Sequence, residues 1–438
     1  MKTIIAYFVR SGTVKGLQIF QILRFLSFFI TGILLSKTFL KTAEIGIYEN
    51  LMFLSGAFSF FWVSGILNAV VAKYDDSDIK KSDGLIYNSS LLIFLINILL
   101  IILLLILEQW ASHLIPENPE TYYPLLIVYI LLNNTSFINE YYFLLKKKTI
   151  PLILYGLGSF LLHLAFVFIP LYFGGTLSCI FYGLIALALI KNLILLYNLR
   201  IGIKSSFNFT VIKELGEVAL PLILSLLIAG SAEYVDGFLI STHFGNDAFA
   251  IFRYGAREFP LSLLMANSLS MAIIPRLRKG EYIDSNGLEN LKAETNSLMH
   301  LVFPTSILLM LASPYLYPIV FRPEFISSSS IFNIYLLLVI SRVLFPQSII
   351  MSQVRTSVIF KTAIAEIFIN VLASYALMLQ FGMIGVAYGT FIAFFCEKII
   401  LAIYCHFELK IPLSRYLNVK VWLIYTIMLL IAFSYTIQ

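Results

Sequence analysis

The sequence predicts an all-α polytopic membrane protein: two six-helix lobes related by an internal repeat, followed by a thirteenth, C-terminal helix. Three observations carry that prediction. Hydrophobic residues make up 60% of the 438 positions and charged residues only 12%, with a mean hydropathy of +0.91. A soluble domain carries about 25% charged residues, so too little polar surface remains here to coat a water-soluble fold. Apolar runs of bilayer length, about 20 residues each, recur from end to end, and the basic residues between them collect on alternate sides.

The candidate spans, in order, are 17–36, 45–72, 85–107, 122–145, 150–173, 176–199, 211–240, 248–274, 295–321, 330–352, 358–380, 383–406 and 419–437. The second and seventh are longer than a bilayer requires and imply tilting or projection past it. The first is too long for the apolar core of a signal peptide and reaches Lys37 without an A-x-A-like site, so it is expected to be retained.

Placing the N-terminus in the cytoplasm puts 21 basic residues on the inner side, Lys146, Lys147, Lys148, Arg276, Arg278 and Lys279 among them. Only Lys37, Lys41 and Arg322 then lie outside. That asymmetry is the signature of membrane orientation, and it turns the C-terminus outward. The net charge of +6 is therefore a topological label, not a nucleic-acid face. Cys179, Cys396 and Cys405 fall in or beside apolar stretches with no C-x-x-C, as buried thiols do. The longest outer connection, near 108–121, has no room for an external catalytic loop.

Residues 32–43 read GILLSKTFLKTA and residues 237–248 read GFLISTHFGNDA, with five identities at a constant offset of 205. Both blocks end a span on the outside, and the even difference in span number makes the halves parallel repeats. The expected organisation is 1–204 for the first lobe, 205–409 for the second and 410–438 for the additional helix.

The sequence holds no P-loop, no H-E-x-x-H, no Cys/His cluster and no G-x-S-x-G, so no enzyme is expected. What it does hold is polar residues at membrane depth, which are costly there and default to functional hypotheses. In span 1, Gln21, Arg24, Ser27 and Thr31 fall within about 120° of one face. In span 4, Tyr129, Asn133, Ser136, Asn139 and Glu140 do the same. Span 7 carries Glu233 and Asp236, and span 8 aligns Arg253, Arg257 and Asn267. Arg342 lies in span 10, Glu366 and Asn370 form an i, i+4 pair in span 11, and Thr390 lies in span 12. Beside the functional reading stand simple charge neutralisation, Arg24 by Glu140 and Arg257 by Glu233 or Asp236, and interhelical hydrogen bonding as the role of most Asn and Ser on these faces. Glu397 and Lys398 are expected to snorkel at the inner interface, and Arg253 to reach the outer headgroups. Arginine is the residue for gripping phosphate bidentately, so these faces lean toward an anionic substrate. Gly156 and Gly158 are expected to serve helix packing, and Pro221, Gly230 and Pro260 to bend spans 7 and 8.

Residues 32–76, with Gly46-Ile47-Tyr48, Gly65-Ile66-Leu67-Asn68 and Lys73-Tyr74, resemble the first-to-second-helix signature of Wzx-type polysaccharide flippases. These belong to the multidrug/oligosaccharidyl-lipid/polysaccharide (MOP) exporter superfamily. Residues 237–280, with Pro275-Arg276-Leu277, look like the second copy. The resemblance implies a MATE-like pair of lobes around a cavity and an alternating-access cycle in the bacterial inner membrane. It implies as substrate an undecaprenyl-diphosphate-linked oligosaccharide for O-antigen or capsule assembly. Arg24 and Arg257 would hold the diphosphate, with Arg342, Arg253, Asn133, Glu140 and Asn267 in the same cavity. Some relatives carry a sodium site on helices 7, 11 and 12; Asp236, Glu233, Glu366, Asn370 and Thr390 would supply it here. The resemblance implies no cofactor beyond Na+ or H+ as coupling ion. Partners would be membrane lipids, a polysaccharide polymerase and a chain-length regulator. A cation-coupled multidrug exporter and a membrane glycan polymerase are the competing readings.

Overall fold

The computed structural model describes residues 12–74, 79–115, 117–200, 207–257, 260–279, 282–283, 285–353 and 355–437. The chain divides into two units, Met1–Gly230 and Ser231–Gln438. The division falls inside a helix, at Gly230.

The first unit holds α1 (Gly12–Ser36), α2 (Thr42–Ala57), α3 (Phe60–Lys73), α4 (Ile79–Ile106), α5 (Pro119–Ser136), α6 (Ile138–Leu145), α7 (Thr149–Tyr172), α8 (Leu177–Leu199) and the start of α9 (Phe209–His243). The turn from α1 to α2 is written in its polar residues. Ser36 and Thr38 donate to the carbonyls of Ile33 and Leu35 at 2.6 and 2.7 Å, and Glu44 accepts from the Lys41 N–H at 2.8 Å. α1 packs on α7, and α5 and α7 both pack on α8. Gly156 allows the first of these pairings, since a Cβ there would meet Phe20 Cδ2 at 2.8 Å. Gly65 of the Gly-Ile-x-Asn motif does the same for α3 and α9: a Cβ would meet Ile223 Cγ1 at 2.4 Å and its backbone at 2.9 Å.

The second unit continues α9 and adds α10 (Gly245–Gly255), α11 (Pro260–Leu277), a two-residue hairpin of β1 (Arg278–Lys279) and β2 (Tyr282–Ile283), and α12 (Ser285–Val320). After these come α13 (Ile326–Leu336), α14 (Val339–Arg342), α15 (Pro346–Ser352), α16 (Thr356–Phe381), α17 (Met383–Phe407) and α18 (Val419–Ile437). At 36 residues α12 is about 54 Å long, well past a hydrocarbon core of about 30 Å. α16 and α17 form a tight hairpin through Gly382, whose φ of 62° and ψ of −144° are open only to glycine. Gly385-Val386-Ala387-Tyr388-Gly389 then brings the two helices to backbone contact, with Ser374 Cα 2.4 Å from where a Gly389 Cβ would stand. The thirteenth span is present as α18, which docks on α12 and donates from Trp422 Nε1 to the Ile340 carbonyl at 3.0 Å.

Burial follows a membrane protein's logic. Leu99, Ile106, Leu308, Phe368, Leu372 and Leu379 are exposed along the outer faces, where lipid replaces water. Because lipid is as apolar as a leucine core, close packing and interhelical hydrogen bonds hold such helices together, not apolar burial. Among the described residues ten helices are long and apolar enough to cross a membrane, or eleven with α2 and α3 taken as one span bent by 46°.

The thirteen spans predicted as continuous differ from this at four places. Spans 2, 4, 8 and 10 are each broken, at Phe58–Ser59, at Phe137, between α10 and α11, and around α14. The second and fourth spans of each repeat are thus the interrupted ones. Carbonyls at and near the breaks accept from side chains. Trp62 donates to Phe58 at 2.9 Å, Asn97 to Leu131 at 2.7 Å, Asn192 to Leu132 at 2.7 Å, Ser328 to Ile251 at 2.7 Å and Tyr317 to Tyr254 at 3.0 Å. Irregular backbone survives at membrane depth only where such partners or a cavity receive it.

Candidate functional site

In the first unit the two breaks meet. Asn134, three residues before Phe137, donates to Ser59 Oγ at 2.8 Å and to Asn97 Oδ1 at 3.1 Å, tying the break of α2–α3 to that of α5–α6 through α4. Beside this knot lies a cavity of about 360 Å³, lined by Arg24, Ser59, Asn133, Asn134, Glu140, His163 and Lys191 with aromatic and small apolar neighbours. Arg24 projects from α1 between the rings of Phe20 and Phe137, with its guanidinium carbon 5.6 and 5.8 Å from their centroids. Its Nη1 donates to both oxygens of Glu140, at 3.0 and 3.3 Å. The carboxylate is buried while the arginine side chain is 41% exposed, so the cation keeps a face toward the cavity.

The polar stripe expected along span 4 runs past the break. Tyr129, Asn133 and Glu140 line the cavity, but Asn139 turns the other way. Its amide donates to the Lys191 carbonyl at 2.8 Å and its oxygen accepts from Asn198 at 3.3 Å. At about 100° per residue Asn139 stands about 80° from Tyr129 and Glu140 about 20°, so the edge of the stripe meets α8 while its centre keeps to the cavity.

In the second unit a separate cluster forms around Asp236. Thr390 Oγ1 lies 2.6 Å from each carboxylate oxygen, and the Tyr335 hydroxyl donates to Oδ2 at 2.5 Å. Asn370 Oδ1 accepts from Ser374 at 2.7 Å and lies 3.5 Å from Thr390, while its amide donates to the Ala232 carbonyl at 3.2 Å. Asp236, Asn370 and Thr390 are all buried. Glu366 is buried one turn before Asn370 on α16. The charge of Arg253 is felt at Asp236. The cluster offers oxygens only and a single carboxylate, a donor set suited to a hard monovalent cation or a proton. Among the described residues no group of three or more His, Cys, Asp or Glu is placed to hold a metal ion.

The remaining sequence-derived residues have other places. Arg257 follows α10, its guanidinium 5.1 Å from the Tyr254 ring centroid, and Arg342 ends α14, 4.9 Å from that of Phe394. Asn267 is exposed on α11. The Glu233 side chain lies outside the described residues. Glu397 and Lys398 are not interfacial snorkellers. Both are buried, paired at 2.7 Å, and Lys398 donates to Gln347 Oε1 at 3.1 Å; α17 is packed among α13, α15 and α16. At the C-terminal end of α6, burial disfavours the Lys146 ammonium, but the Asp83 carboxylate 2.6 Å away outweighs it and holds the pKa above the ordinary lysine value.

Sequence reasoning passes over Lys191, Tyr335 and the Gly385–Gly389 spacing. The first and last left signals: a lysine in the middle of span 6, and a G-x-x-x-G in span 12. Tyr335 left none, since an isolated tyrosine in an apolar helix is unremarkable.

Helical units with apolar, interrupted and polar-lined spans define a multi-pass membrane protein. Residues 38–330 match the family described as polysaccharide biosynthesis protein, and the chain belongs to that family. Its fold is similar to that of the lipid II flippase MurJ in an inward closed conformation, at 18% identity with a TM-score of 0.68, covering 94% of this chain and 91% of that one. It is also similar to a MATE structure in the bent conformation, at 15% identity and a TM-score of 0.52, covering 92% and 95%. A MOP superfamily transporter from Pyrococcus furiosus, described as having a binding pocket of reverse polarity, matches at 13% identity and 0.53 over 92% and 95%. No curated protein sequence matches the chain.

Proposed function

We propose that the protein is a flippase that carries an undecaprenyl-diphosphate-linked oligosaccharide across the bacterial inner membrane for O-antigen or capsule assembly. The N-terminus is cytoplasmic, and the cycle is alternating access coupled to Na+ or H+. The observation that carries the reading is Arg24. A membrane-embedded guanidinium, framed by two aromatic rings and held by one buried carboxylate, opens onto a cavity lined by hydroxyls and amides. Such a site receives a phosphate through charge-assisted hydrogen bonds and a sugar through neutral ones. Family membership supports polysaccharide assembly as the setting, and the polymerase and chain-length regulator of that assembly are the expected partners. Asp236, Thr390 and Asn370, with Glu366 one turn away, would take the coupling cation. Arg253, Arg257, Arg342 and Asn267 are the further residues proposed to serve an anionic substrate. The chemistry is transport without bond-making.

The test is a vesicle assay with purified protein, a fluorescent lipid-linked oligosaccharide and imposed Na+ or H+ gradients. Movement of the oligosaccharide to the opposite leaflet, lost in Arg24→Ala while the protein still inserts, is expected. Transport of cationic dyes with no movement of the oligosaccharide would replace this reading by the multidrug one.

A further inference from the structure

The cavity of the first unit holds two cations and one carboxylate, Arg24, Lys191 and Glu140. They come from three elements, α1, α8 and α6, and each lies close enough for its charge to act on the others. Glu140 engages Arg24 through Nη1 alone, which leaves the rest of the guanidinium fork for another acceptor. Lys191 is fixed from both sides of its peptide. Asn139 donates to its carbonyl at 2.8 Å, and the adjacent Asn192 donates to the Leu132 carbonyl at 2.7 Å. The lysine therefore rides on a helix clamped to both halves of the broken span that carries Glu140. A third group points the same way. His163 is 7% exposed, lines this cavity, and its Nε2 has no hydrogen-bond partner. A buried polar atom left in that state at a cavity wall is a place where a ligand atom belongs.

We propose that Lys191 is a second phosphate-binding cation, which receives one phosphate of a diphosphate headgroup while Arg24 receives the other, with His163 completing the polar wall. The physical reason is a count of charges. A diphosphate diester carries one negative charge on each phosphate, and two fixed cations on separate helices match two charges where one arginine matches one. This rests on the reading that the cavity takes a lipid-linked diphosphate.

The test uses the full-length protein in lipid nanodiscs and three probes: farnesyl diphosphate, farnesyl monophosphate and inorganic pyrophosphate. The wild type is expected to bind the diphosphate about tenfold more tightly than the monophosphate, as one added charge-assisted contact gives. Lys191→Met is expected to erase that preference while leaving monophosphate binding in place, and Lys191→Arg to keep it. Pyrophosphate is expected to displace farnesyl diphosphate from the wild type and not from Lys191→Met. Lys191→Gln is read in the same way where the methionine variant fails to fold. A retained preference in the neutral variants, an equal loss of both farnesyl probes, or equal displacement by pyrophosphate from wild type and variant would each overturn the assignment. Failure of the underlying reading shows separately, as unchanged binding of both farnesyl probes in Arg24→Gln.

Discussion

Thr390 holds its hydroxyl 2.6 Å from both carboxylate oxygens of Asp236, across 154 positions of sequence. The contact joins α17 to α9, and Asn370 of α16 completes it from the side.

Removing that charge should uncouple transport from its cation. Asp236→Asn is expected to abolish the response of lipid-oligosaccharide transport to an imposed Na+ or H+ gradient. Thr390→Val, which keeps the shape and deletes the hydroxyl, should weaken that response about tenfold, the effect of one hydrogen bond to a charged group. Gradient-driven rates in vesicles measure both. A full gradient response in Asp236→Asn would remove this cluster from the coupling mechanism.

Arginine at position 24 should resist conservative replacement. Lysine preserves the charge but not the planar fork that serves Glu140 and a phosphate together. Arg24→Lys is expected to leave the protein inserted and to reduce surface glycan severalfold, whereas Arg24→Ala should abolish it. Glycan staining of cells alongside quantified membrane protein distinguishes the two.

The hairpin of α16 and α17 should be intolerant at its tightest point. A Cβ on Gly389 would stand 2.2 Å from Ser374 Oγ and 2.4 Å from its backbone N and Cα, and backbone does not yield as a side-chain tip does. Gly389→Ala is expected to cost about 1–3 kcal/mol, the usual penalty for overpacking. Gly158→Ala makes the control, because nothing lies within 4 Å of its Cβ position and alanine favours a helix. Thermal unfolding in detergent should show a lowered midpoint for the first and an unchanged or raised one for the second.

The buried pair on α17 should behave as a unit. Lys398→Met leaves Glu397 buried beside no cation, a change worth about 3–5 kcal/mol in other buried pairs. Glu397→Gln combined with Lys398→Met removes both charges and should restore most of the stability. A double variant no more stable than the single would show that Lys398 acts mainly through Gln347, to which it donates at 3.1 Å.

Much of this arrangement was open to a reader of the sequence, for identifiable reasons. Arg24 and Glu140 stood out because charge is costly in lipid, and the structure pairs them. Asp236, Asn370 and Thr390 were named from three different spans and lie in one hydrogen-bonded cluster. The same logic misjudged Glu397 and Lys398, since distance from a predicted span end says nothing about the helices packed around it. Asn139 stood at the edge of the span 4 stripe, and the structure uses it to join α6 to α8 through the Lys191 carbonyl.

By itself the sequence determined that this is a polytopic helical membrane protein, roughly where its apolar segments lie, and which residues are out of place in lipid. Those properties are local, because transfer of a segment into a bilayer depends on its own composition and length. Only the tertiary structure decided that four spans are interrupted, that the two breaks of the first unit meet at Ser59 and Asn134, and that Lys191 shares a cavity with Arg24. Those facts depend on which backbone carbonyls find donors on neighbouring helices and on how closely glycines let two backbones approach. Neither is written in any one segment.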